Sequence, residues 1–162
     1  MPRHVAASLI AAAILAAGLA AAPFAFAPVA AHTGHTFAAG EPGDPAKPFR
    51  TITIEIKDGP GMMAYSPNRI EVRKGEQIKF VLTNTGDLPH EFLLDSLENN
   101  AKHKKEMEKN PEMEHDEPNG KRLEPKKSAE ILWRFSKAGT FEFACLIPGH
   151  YETGMKGVVV VK

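Results

Sequence analysis

Near the C-terminus, the stretch Cys145-Leu146-Ile147-Pro148-Gly149-His150-Tyr151-Glu152-Thr153-Gly154-Met155 places a thiol, an imidazole and a thioether at the spacing Cys-x4-His-x4-Met. An apolar run, Val158 to Val161, follows at once. The stretch therefore reads as a loop between two strands, with a donor at each end and one in the middle. Thiolate, imidazole and thioether are the soft and borderline ligands that copper prefers, and a blue-copper site needs two His, one Cys and a weak axial Met. The second imidazole has to come from a distant loop. His90, in Leu88-Pro89-His90-Glu91-Phe92, is the candidate. The fold must then bring a mid-chain loop to a C-terminal one.

The first 31 of the 162 residues read as a secretory signal peptide. Arg3 and His4 precede an Ala-, Leu- and Ile-rich run from Val5 to Ala22, and Val29-Ala30-Ala31 offers small residues before a cut, placed between Ala31 and His32. The Ala-rich run is about membrane length, so a retained anchor is the alternative. Export implies a periplasmic protein with no membrane attachment after cleavage. Residues 32–162 carry 19 basic against 20 acidic side chains, so no strong field points to nucleic acid or to anionic lipid. In an exported chain a single cysteine suggests an intermolecular pair or a reactive thiol. The neighbouring His150 and Met155 favour a third state, a thiolate held by a metal.

Residues 32–48, with their Gly, Pro and polar residues, read as a flexible lead-in. Phe49 to Lys57 alternates, with Ile52, Ile54 and Ile56 on one face, as a half-buried strand does. Asp58-Gly59-Pro60-Gly61 supplies turn residues. Arg69 to Arg73 is a short strand, and Gln77 to Asn84 alternates with Ile78, Phe80 and Leu82 inward. His90 opens a strand over Glu91 to Leu94. Residues 95–127 break the rhythm as a charged insertion, with good helix formers from Ala101 to Lys109 and Pro111 and Pro118 limiting the helix. Alternation returns in Ala129 to Phe135, with Ile131, Trp133 and Phe135 on one face. In Thr140 to Cys145, Phe141, Phe143 and Cys145 share a face, so the thiol lies at the edge of the core. About seven short strands with Gly/Pro turns predict an all-β fold, an antiparallel Greek-key β-sandwich over 49–162 with a charged, partly helical insertion at 95–127.

These residues resemble the cupredoxins, the small blue-copper proteins. The loop Cys145-x4-His150-x4-Met155-x-Gly157 is similar to the azurin and auracyanin end of that family. The resemblance implies one type 1 copper, cycling between Cu(I) and Cu(II), with His90, Cys145 and His150 in the trigonal plane and Met155 as the long axial ligand. Many members place Asn directly after the first His and Ser or Thr directly after the Cys, tying the two ligand loops together. Here Glu91 and Leu146 stand there. Because groups around the ligands tune a metal site, a spectrum distorted from pure blue is expected.

Further donors are scattered along the chain. His103 and Met107 are i and i+4 in the predicted helix and would share a face. Met113 and His115 lie just beyond Pro111, Met62 and Met63 lie upstream, and His32 and His35 follow the expected cleavage site. Such thioethers and imidazoles in a mobile segment would suit transient Cu(I) capture; a solvated charged loop is the plainer alternative. Two functions compete. One is a monomeric periplasmic electron carrier whose His150 edge, framed by Ile147, Pro148 and Tyr151, docks a redox partner. The other is a copper-tolerance protein that sequesters copper or passes it to a copper-handling protein. The resemblance extends to periplasmic copper-resistance cupredoxins. An enzyme is not expected, since one domain without a His-x-His pair lacks the additional copper sites of an oxidase or nitrite reductase.

Overall fold

A computed structural model describes residues 37–59, 61–111, 113 and 117–162. The expected signal peptide, His32, His35 and His115 lie outside these residues. Ten strands and one helix follow in chain order: β1 Glu41–Pro42, β2 Arg50–Gly59, β3 Met62–Ser66, β4 Arg69–Val72, β5 Gln77–Asn84, β6 His90–Asp95, α1 Leu97–Lys109, β7 Gly120–Leu123, β8 Ser128–Arg134, β9 Gly139–Ala144 and β10 Lys156–Val161. They form two five-stranded sheets, ordered β1-β8-β5-β2-β3 and β4-β10-β9-β6-β7.

The sandwich is mixed rather than purely antiparallel. β2 runs parallel to β5, and β4 runs parallel to β10. Both parallel pairs arise because the chain leaves the first sheet after β3 and enters the second at β4, so strands distant in sequence become neighbours. The alternating faces meet in one core. Ile54, Ile56, Ile78, Phe80, Leu82 and Trp133 from the first sheet, and Phe135 just past β8, are fully buried with Phe92 and Phe143 from the second. Cys145 and Met155 belong to this core cluster, which seats both sulfur donors at one end of the apolar interior.

Three elements differ from the expectations. Residues 37–48 are tied down rather than loose: β1 pairs with β8, Gly43 N–H donates to Leu132 O at 2.8 Å, and Phe37 meets Trp133 edge-on at 5.2 Å. Most of the side chains between them are small, charged or Pro, so periodicity had nothing to register. The span 95–127 contains a core strand, β7, paired with β6; its Lys121-Arg122 centre hid a strand whose Gly120 and Leu123 are buried. The helix begins at Leu97, earlier than expected, because Ser96 caps it by accepting from Asn99 N–H at 3.1 Å.

The helix does not float as a solvated loop. Met107 is fully buried and forms a second apolar cluster with Leu93, Ala144 and Leu146, against which Met113 and Tyr151 pack. Asn100, also buried, donates to Glu142 Oε1 at 3.1 Å. The outer face of the second sheet is thus covered by α1, directly behind the strand that leads into Cys145.

Candidate metal centre

His90 is the first residue of β6, and Cys145 directly follows β9; the two strands are hydrogen-bonded neighbours. That adjacency brings mid-chain and C-terminal loops together. The Cys145–Met155 hairpin is closed at its neck, where Cys145 N–H donates to Met155 O at 3.1 Å. Its tip folds on itself: His150 N–H donates to Ile147 O at 3.0 Å, Met155 N–H to His150 O at 3.3 Å, and Thr153 Oγ1 to His150 O at 2.7 Å. Gly149 and Gly154 hold positive φ values of 90° and 98°, which residues with a Cβ avoid.

The result is a cluster of three donors. The nearest ligand atoms of His90, Cys145 and His150 lie within 4.8 Å of one another, the one such group of three His, Cys or carboxylate side chains found among the described residues. Cys145 Sγ is 3.4 Å from His150 Nδ1, and the two imidazole rings are 5.1 Å apart between centroids. Met155 is buried at the hairpin neck, where its carbonyl accepts from Cys145 N–H. His90 Nδ1 is buried and has no hydrogen-bond partner, although an unpaired buried polar atom is costly. Its other nitrogen, Nε2, is 3.3 Å from Asp58 Oδ2. A soft cation among one sulfur and two nitrogens would satisfy the orphaned Nδ1, so the residues present fit copper.

The electrostatics agree. Burial pushes the Cys145 thiol up to about 12, against hydrogen bonds from Glu91 and Ile147 N–H that pull it down. A coordinating cation overturns that preference, since a metal-bound thiol is deprotonated. Burial lowers the pKa of His90 more than Asp58 raises it, and burial and the neighbouring His90 lower that of His150. Both imidazoles are therefore kept in the neutral, ligating form. Burial pulls the Asp58 carboxyl upward, but Asp87 and Leu88 N–H and the His90 ring together hold it below its ordinary value.

The side-chain link between ligand loops that Glu91 and Leu146 cannot make is replaced by other contacts. Glu91 N–H donates to Cys145 Sγ at 3.3 Å, and the Tyr65 hydroxyl donates to Glu91 O. The Glu91 carboxylate is itself buried, with Arg122 Nη1 3.8 Å away.

A family model for copper-binding proteins of the plastocyanin/azurin family matches residues 51–162. The chain belongs to that family. Within this cupredoxin family, it is 45% identical over 138 residues to the copper-resistant cuproprotein CopI of Rubrivivax gelatinosus, covering 82% of each chain. It is 37% identical over 161 residues to CopI of Pseudomonas aeruginosa, covering 82% of this chain and 87% of that one. Among solved structures it is similar to the dithionite-reduced auracyanin of Roseiflexus castenholzii, with a TM-score of 0.60, 28% identity, and coverage of 69% of this chain and 96% of that one. The resemblance drawn from the Cys145–Met155 loop thus holds at the level of family and β-sandwich.

Of the additional donors, the structure describes His103, Met107, Met113, Met62 and Met63. Met107 faces the apolar cluster under α1, so the His103/Met107 face is not a solvent-facing copper trap; Met107 packs the helix onto the sheet. Met113 is half-buried on the same cluster, and His103 is half-buried. Met62 is 60% exposed on β3, and Met63 packs on the main core. Sequence reasoning passed over Asp58, which looked like one more turn residue; its contact with His90 spans 32 positions and leaves no local signature.

Proposed function

We propose that the protein is a periplasmic, one-electron copper carrier working in a copper-tolerance setting, with His90, Cys145, His150 and Met155 holding a single type 1 ion. The observation that carries this is the cluster of His90, Cys145 and His150 donors, in which the buried His90 Nδ1 has no hydrogen-bond partner. Copper, when bound there, supplies a Cu(I)/Cu(II) couple. Cys145 would provide a covalent thiolate acceptable to both oxidation states, the two imidazoles nitrogen donors, and Met155 a weak thioether. The hairpin hydrogen bonds and the α1 cover hold these donors in place, which keeps the rearrangement on electron transfer small. His150, half-exposed at the hairpin tip next to Ile147 and Pro148, is where a redox partner or a copper-handling protein would dock with the monomer. The similarity to CopI proteins supports the tolerance setting, and the expected signal peptide supports export. The reading assigns the protein no catalytic step.

Sequestration of additional copper is the second reading. Exposed Met62 favours it, while burial of Met107 removes one of the donors it was built on. Titration of metal-free protein with Cu(II) and then Cu(I), followed by visible absorption and metal counting, separates the two. The carrier reading predicts an intense charge-transfer band that saturates at one equivalent and is absent in Cys145→Ser. Further Cu(I) bound without colour supports sequestration, and absence of the band in the wild type overturns the type 1 site.

A further inference from the structure

Asp58 is a charged group that connects the metal site to the first sheet, and the copper reading gives it no part. It lies near the end of β2, and its side chain is only 10% exposed. Its carboxylate accepts from Asp87 N–H at 3.0 Å and from Leu88 N–H at 2.8 Å, and its Oδ2 faces His90 Nε2 at 3.3 Å. The fit is close on the far side as well: a Cβ added at Gly86 would collide with this carboxylate and force it to move.

An ionised carboxylate only accepts hydrogen bonds, and a neutral imidazole carries one N–H. Facing Asp58, that hydrogen belongs on Nε2. The lone pair then sits on Nδ1, the buried atom without a hydrogen-bond partner in a residue that clusters with Cys145 and His150. A carboxylate behind a ligating histidine fixes its tautomer and makes it a stronger donor. We propose that Asp58 is a positioning residue that locks His90 as the Nε2–H tautomer and, through its negative charge one imidazole away from the copper, favours Cu(II) and lowers the reduction potential. The proposal rests on the copper reading for the potential but not for the tautomer.

A loop anchor alone would also explain the bonds to Asp87 and Leu88. Asp58→Asn separates the two roles, because its amide oxygen still accepts from those N–H groups while the charge is gone. Long-range proton–nitrogen correlation of the imidazole nitrogens in metal-free wild type should show His90 protonated at Nε2; protonation at Nδ1 overturns the proposal whether or not the variant folds. In copper-loaded protein, Asp58→Asn should keep the charge-transfer band and shift the reduction potential upward relative to wild type. An unchanged potential with the band intact makes Asp58 a loop anchor and overturns the electronic role. A wild type without any band defeats the copper assignment, while the metal-free spectrum still decides the tautomer.

Discussion

At the scale of single residues, the site is a set of neutral donors held in an apolar end of the fold. Neutral His90 and His150 carry a consequence for stability. Both have pKa values lowered by burial, so in acid the unfolded chain binds protons that the folded chain refuses. Stability of metal-free protein therefore falls as pH drops below about 6.5, the ordinary histidine value, and is flat just above it. Thermal unfolding at pH 5 and pH 7.5 should give the higher midpoint at pH 7.5; equal midpoints would mean that the rings are not shielded. The clustering of His90, Cys145 and His150 was legible because their chemistry is rare and their spacing mostly local: Cys145 and His150 sit on one hairpin, with Met155 at its neck, and His90 starts a strand. Asp58 and the Glu91–Arg122 pair were not, because each depends on partners brought together only by folding.

At the scale of elements, α1 is a brace for the ligand hairpin. Lys104 Nζ is 2.5 Å from Glu152 Oε1 and lies over the Tyr151 ring, and the Tyr151 hydroxyl donates to Glu142 Oε2 at 3.0 Å. Glu142 also receives Asn100 from the helix. The surface ion pair contributes little by itself, but Met107 beneath it is fully enclosed. Met107→Ala should destabilise the protein by about 2–5 kcal/mol, as removal of buried methionine or leucine side chains does. Denaturant unfolding checks this, and a loss within about 0.5 kcal/mol, typical of surface substitutions, would mean that Met107 does not anchor the helix. The helix itself was readable from its composition. Its docking was not, since a stretch this charged shows no apolar stripe, and one methionine and one asparagine carry the contact. β2, β5 and β8 were readable because one face of each alternates against a single core; β1 and β7 carry too few apolar side chains to do so.

At the scale of the whole molecule, the second sheet sets the start of β6, the end of β9 and the start of β10 side by side, and this brings residues 55 positions apart, His90 and Cys145, to one metal-sized cluster. Parallel pairing of β2 with β5 and of β4 with β10 could not be read from periodicity, which reports the buried face of a strand and not its neighbour's direction. The central claim is that one copper is held by this chain's single thiolate and two imidazoles. X-ray absorption at the copper edge of protein loaded with one equivalent tests it most directly. The expected fit is one short copper–sulfur distance and two copper–nitrogen distances with imidazole scattering, the short sulfur shell vanishing in Cys145→Ser. A wild-type spectrum with oxygen and nitrogen neighbours alone, and no short sulfur shell, would contradict the account.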